Sequence, residues 1–367
     1  MTPTLTNRAL NRALLARQML LARERTPTVR AVEKLAGMQA QQPRPPFVGL
    51  WSRVDAFERS SLSKALEDRK VVRATMMRAT IHLVSADDYV AFRGAIQTML
   101  TAAMESIRKT RKADFDIARV VAAAARRFQE RPYTFAELRH ALASDFPDVD
   151  ERMMGYAART SIPLVMVPDA SDFAFAGATF VDAEQWLGRP VPSADRLPDL
   201  LLRYLAAFGP ASVRDAQEWS GIGKLGPVFE SLRPRLSAFR DEGGRELFDL
   251  PSAPRPAEDV EAPVRFIAAF DNLILAHADR SRIIAGEYRS LVTLKNLQVL
   301  PTFLVDGFVA GTWDVERSKK TARLRIQPFK ALPRGSKLDL SAEGERLVRF
   351  LAHDAVDFDV EILAPSM

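Results

Sequence analysis

The stretch VVRATMMRATIHLV, residues 71–84, decides the fold. Val71–Met77 and Thr80–Val84 are apolar and β-branched runs around Arg78-Ala79, which reads as two strands joined by a tight connection. Upstream lie short helical segments. Leu5, Leu10, Leu14, Leu15, Leu20 and Leu21 fall near helical spacing, with Arg8, Arg12 and Arg17 between them, so residues 6–25 read as an amphipathic basic helix. Thr26-Pro27-Thr28 stops it and opens a second helix, about Val29 to Met38. Further short helices fit Phe47–Arg53 and Leu62–Glu67. Short helices followed by a hairpin form the pattern of a winged helix-turn-helix.

The pattern recurs downstream. Thr134 and Glu137 have the spacing of a capping box at the start of a helix. Leu164–Val167 and Phe173–Ala176 read as a second hairpin across Asp169–Asp172. A third unit has a helix from Leu197 to Phe208, a stop at Gly209-Pro210, Ser212 capping Val213–Trp219, and a hairpin turn in Asp241–Arg245. Residues 251–263 are a Pro-rich linker. Beyond it, Arg265–Phe270, Leu291–Leu294, Thr302–Val305, Phe308–Trp313 and Ala322–Phe329 read as strands, with a helix from about Ala342 to Ala352. The expected fold is α+β: tandem winged helix-turn-helix units at 1–115, 116–190 and 191–255, then a small β-barrel-like domain at 256–367.

Composition narrows the function. Hydrophobic residues make up 47% of 367, enough for several cores, and no apolar run is long enough to span a membrane. The first residues lack the apolar region of a signal peptide, so a cytoplasmic location, associated with the nucleoid, is expected. With no cysteine there is no disulfide, thiolate metal site or Cys nucleophile, and the four histidines are far apart in sequence. No metal and no cofactor are expected. Residues 1–131 hold 24 Lys/Arg against 12 Asp/Glu, whereas residues 132–367 hold 28 against 34. Only 11 of the 52 basic residues are Lys, and Arg suits bidentate phosphate contacts. The expected partner is double-stranded DNA, met by the N-terminal part of a monomer. High-GC coding, which enriches Ala and Arg together, is the compositional alternative.

Gln39-Ala40-Gln41-Gln42-Pro43 is the segment that divides an enzyme from a binding module. Glutamine does not ionise, so it is a poor general acid or base. The plain reading is of polar residues that cap a helix end or face solvent. Met38–Pro43 and residues 77–84 resemble the AlkZ-like family of bacterial DNA glycosylases. The resemblance continues in Gly209-Pro210-Ala211-Ser212, in Phe270–Leu275 with Asp279-Arg280, and in Gly307–Trp313. It implies tandem winged-helix units with a C-terminal β-domain, and excision of N-alkylated purines, including crosslinks, in DNA repair. It places the catalytic Gln-x-Gln signature on Gln39 and Gln41, where a sister branch has Asp at the second position. Gln42 has no role in that signature.

The chemistry agrees with the residue types. An N7-alkylated guanine is cationic and departs without a general acid, leaving an oxocarbenium-like sugar that an amide oxygen can stabilise while orienting water. In a regular helix the side chains of Gln39 and Gln41 would diverge by about 200°, so convergence requires unwound backbone near Gln41. Arg73, Arg78 and His82 are candidate DNA contacts on the first hairpin, with core-satisfied polar residues as the alternative. Arg280 and Arg282 are candidates for a minor-groove probe, against an ion-paired role for Asp271 and Asp279-Arg280. Lys319 and Lys320 belong to a basic cluster with Arg317, Arg323 and Arg325. Arg108–Lys112 reads as a basic loop, and the four tryptophans as core. The competing function is a DNA-binding regulator without catalysis, which would need neither glutamine.

Overall fold

The decisive hairpin is present. Val71–Thr75 pairs antiparallel with Ile81–Ser85, and Met77–Ala79 closes the connection as one 3-10 turn. The computed structural model describes residues 2–366. The hairpin does not stand alone. Ala74 pairs with Val165, which joins it to the second hairpin and builds one six-stranded sheet. The order is Met38–Gln39, Ile81–Ser85, Val71–Thr75, Leu164–Met166, Thr179–Asp182, Tyr133–Thr134.

Three local expectations change here. The second hairpin pairs Leu164–Met166 with Thr179–Asp182, not with Phe173–Ala176. The Asp169 carboxylate accepts from the backbone N–H groups of Ser171, Ala176 and Gly177, which folds that stretch into a loop. The second helix spans Thr28–Lys34 and stops short of Met38. Ala36 and Gly37 take left-handed φ of 52° and 83°, reversing the chain into an edge strand. A Cβ on Gly37 would sit 2.7 Å from Val84 Cγ1, so only glycine fits this turn. Arg108-Lys109-Thr110 is the last turn of the helix Gln97–Thr110 rather than a loop.

The helices Leu197–Phe208 and Val213–Ser220 follow the sequence reading, the second capped by Ser212 with Asp215 returning the bond. The third hairpin, Ser237–Asp241 with Glu246–Asp249, gains Thr4–Leu5 as a parallel strand. The first helix is shorter than expected: Asn7–Arg17, capped by Thr6.

The C-terminal sheet contains Arg265–Ile267, Thr302–Val305, Phe308–Ser318, Thr321–Pro328 and Asp357–Ile362, in that order. Its two outer strands remain edges, so the sheet is open and the barrel-like expectation is corrected. The last strand arrives parallel to its neighbour through the helix Arg334–Leu351, as a parallel pair requires a crossover. Leu291–Leu294, read as a strand, lies at a short helix, Arg289–Val292, and its end. The architecture is mixed α+β, as expected.

Three apolar cores form. Met76, Met77, Trp219 and Leu273 belong to the first, Met38, Ala40 and Phe47 to the second, and Val48, Phe266 and Trp313 to the third. The tip of the first hairpin therefore belongs to the first core and the glutamine segment to the second.

Candidate active site

Gln39 is a strand residue. It pairs with His82 at the sheet edge, and Ala40 continues the ladder by donating to the Ile81 carbonyl at 2.7 Å. The helix geometry that would separate the two glutamines is absent. The strand ends at Gln39 and the chain bends at Gln41, so neither helical nor strand periodicity relates the two side chains. Gln39 is 8% exposed, whereas Gln41 is open to solvent. Both amide oxygens accept from the hairpin: Gln39 Oε1 from Arg78 Nη2 at 2.7 Å, and Gln41 Oε1 from the Ile81 N–H at 3.2 Å.

Arg73 fixes the backbone of this segment. Its guanidinium donates to the carbonyls of Ala40 (2.9 Å) and Gln41 (3.2 Å) and lies 4.8 Å from the Phe175 ring centroid. Those carbonyls belong to the edge of the sheet, where strand partners run out. Arg73 is buried, and burial lowers its pKa to about 10, which leaves it charged at neutral pH. His82 is fully buried, and burial, then the nearby Arg78 charge, pushes its pKa down to about 3. It is neutral at physiological pH and faces the core rather than solvent.

The floor beneath Gln39 comes from the other half of the chain. Asp271 caps the helix Asn272–Leu275 and forms a bidentate pair with Arg53, both bonds 2.9 Å. Asn272 accepts from Arg78 at 3.1 Å and donates to the Gly37 carbonyl at 3.3 Å. Gln18, Gly37, Gln39, Pro46, Asp271 and Asn272 are among the residues around a cavity of about 10 Å³. That is room for one water and far too little for a purine. Arg44, just before the lining residues Pro45 and Pro46, is half-buried. Burial, and then the charges of Arg317 and Arg59, lower its pKa.

The other expected DNA contacts separate. Arg282 is 4% exposed and donates to the Pro210 carbonyl at 2.7 Å, so its guanidinium is inside the protein and is not presented to DNA. Arg280 is half-buried, bonded to the His277 carbonyl and 3.5 Å from Glu218. Asp279 pairs with Arg245. Lys319 and Lys320 are exposed at the turn after Ser318. Trp219 and Trp313 are core, while Trp51 and Trp186 are half-buried under Arg23 and Arg69. Sequence reasoning missed Asn272, although the segment around it had been singled out. Arg78, a candidate DNA contact, bonds Gln39, Asn272 and the Trp219 carbonyl within the protein.

Among the described residues, no group of His, Cys, Asp or Glu is arranged to hold a metal, and no helix is long and apolar enough to cross a membrane.

Residues 32–350 match the family model described as DNA glycosylase AlkZ-like. The chain belongs to the AlkZ-like DNA glycosylase family. It is therefore an enzyme, and DNA is its substrate. A similar AlkZ-like protein is the interstrand DNA cross-link repair glycosylase of Streptomyces sahachiroi, 23% identical over 329 residues, which cover 82% of this chain and 85% of that protein. The fold resembles the solved structure of Streptomyces sahachiroi DNA glycosylase AlkZ, with a TM-score of 0.79 at 20% identity, over 98% of this chain and 100% of that one. The AlkZ-like match includes the edge strand with Gln39, the Arg78 hairpin and Asn272.

Proposed function

We propose that this glycosylase is monofunctional and hydrolyses the N-glycosidic bond of cationic N-alkylated purines in double-stranded DNA. The same chemistry would unhook interstrand crosslinks of the kind named for the Streptomyces relative. The observation that carries the reading is the absence of acid–base capacity at Gln39. The side chain is an amide, His82 beside it is neutral, and the cavity below admits one water. Such a site suits a leaving group that already bears positive charge. The C1′–N bond breaks, its electrons neutralise the purine, and the sugar becomes oxocarbenium-like. Gln41, exposed at the mouth, meets the sugar with the second lone pair of its amide oxygen. Gln39 holds the water that adds to C1′, and the proton leaves to solvent.

The surrounding architecture supports a duplex partner. We assign winged helix-turn-helix units to 1–115, 116–190 and 191–255 and a β-rich domain to 256–367. Lys319, Lys320, Arg44 and Arg280 are the proposed contacts to phosphate. The protein would act as a monomer in the nucleoid.

Incubation with duplex DNA carrying 7-methylguanine should yield free base and alkali-labile abasic sites. The double change Gln39→Ala with Gln41→Ala should abolish release, and full activity of that variant would remove both residues from the mechanism. Because neither amide ionises, the single-turnover rate should stay flat between about pH 6 and pH 8.5. A bell-shaped profile would place a titrating group in the chemical step.

A further inference from the structure

Arg78 is the member of this site that stability explains least. Its guanidinium is half-buried, yet it bonds only neutral oxygens: the Trp219 carbonyl, Gln39 Oε1 at 2.7 Å and Asn272 Oδ1 at 3.1 Å. A cation drawn partly out of water without a bonded counter-ion is costly. Its backbone is also unfavourable. Arg78 and Ala79 both have φ of 55°, a left-handed conformation that costs a residue with a Cβ on the order of 1 kcal/mol. Gly221, the left-handed cap of Val213–Ser220, approaches so closely that a Cβ there would lie 3.1 Å from Arg78 Cα. The hairpin, the helix cap, the glutamine strand and Asn272 together hold one side chain in one pose.

We propose that Arg78 is a positioning residue that sets the orientation of the Gln39 amide, and that Asn272 holds Arg78 in that pose. The inference rests on the role given to Gln39 above. A guanidinium donates and never accepts, so only the oxygen of Gln39 can face it. The NH₂ branch of the amide must then point elsewhere. Asn272 is oriented by the same logic. Its NH₂ donates to the Gly37 carbonyl, so its oxygen is the atom turned to Arg78. The relay closes on itself, because Gly37 lies two residues before Gln39 on the same segment. An unrestrained amide can rotate by half a turn and exchange oxygen for NH₂ at little cost. Arg78 removes that choice, and its charge polarises the amide it holds.

The test is a double-mutant cycle on single-turnover release of 7-methylguanine from duplex DNA at saturating enzyme, with DNA affinity and its salt slope measured in parallel. Arg78→Met should slow release by about tenfold to a hundredfold, the weight of one charge-assisted hydrogen bond, with affinity and salt slope unchanged. In a Gln39→Ala background, Arg78→Met should cause no further loss, since Arg78 acts through Gln39. Arg78→Lys should recover part of the rate. If Arg78→Met does not fold, as judged by circular dichroism, Asn272→Ala is run through the same cycle and should show the same non-additivity. Additive losses would overturn the inference. So would weaker binding with a shallower salt slope at an unchanged rate, which marks a phosphate contact. If the wild type releases no base, the proposed function fails and takes this inference with it. If the wild type is active and the cycle is additive, only this inference fails.

Discussion

His82 illustrates what one buried side chain costs and where that cost appears. It is sealed in the sheet opposite Gln39, and its Nε2 has no hydrogen-bond partner. Burial lowers its pKa from 6.5 to about 3. The unfolded chain therefore binds a proton at mildly acid pH that the folded protein refuses. A group with a depressed folded pKa stabilises the protein above its unfolded value, and the contribution drains away as pH falls toward the folded value. His277 behaves in the same way, also lowered to about 3 by burial and then by Arg282. Between pH 6.5 and pH 5 each histidine should withdraw about 1.5 kcal/mol of stability. Urea midpoints measured across that window should fall, and His82→Asn should make the fall shallower. An unchanged pH slope in that variant would show that His82 is accessible to protons in the folded state.

The Asp306-Gly307 turn shows how much one element depends on partners distant in sequence. Gly307 joins the strands Thr302–Val305 and Phe308–Ser318, and a Cβ on it would lie 2.6 Å from both Asn11 Oδ1 and Leu15 Cδ1 of the first helix. Asp306 receives Arg8 and the fully buried Arg12. Asp306→Ala should leave Arg12 buried without its carboxylate and cost about 2 kcal/mol, discounted because Asp306 is half exposed. A chemical-denaturation shift below a few tenths would show that Arg12 is satisfied by backbone carbonyls alone. The first hairpin, the helix Leu197–Phe208 and the capping box at Thr134 were legible in the sequence, because each rests on local chemistry. What local chemistry could not reveal was pairing. Nothing within Met38–Gln39 declares an edge strand, since two residues carry no period, and Gly37 was not recognised as the stop. The final strand Asp357–Ile362 exists because a parallel neighbour accepts it. The glutamines were legible by type, but their separate partners on the hairpin were not. Arg78 and Asn272 are 194 positions apart, and only the tertiary fold makes them neighbours of Gln39.

At the scale of the whole molecule, charge separates what holds the fold from what is free to meet DNA. The excess of basic residues in 1–131 is real, but a share of it is spent internally: Arg12, Arg17, Arg53 and Arg73 are all buried. Net charge therefore overstates the number of phosphates the protein can neutralise. Each exposed cation that meets a phosphate contributes about 0.9 to the slope of log affinity against log salt. Changing Lys319 and Lys320 together to Ala should lower that slope by up to about 1.8, weakening binding equally for all sequences. Arg282→Lys should leave the slope unchanged, since that side chain lies under Pro210 and not on the surface. Titrations of an undamaged duplex at several salt concentrations distinguish these outcomes. An unchanged slope in the Lys319/Lys320 variant would show that the turn after the strand Phe308–Ser318 does not meet phosphate.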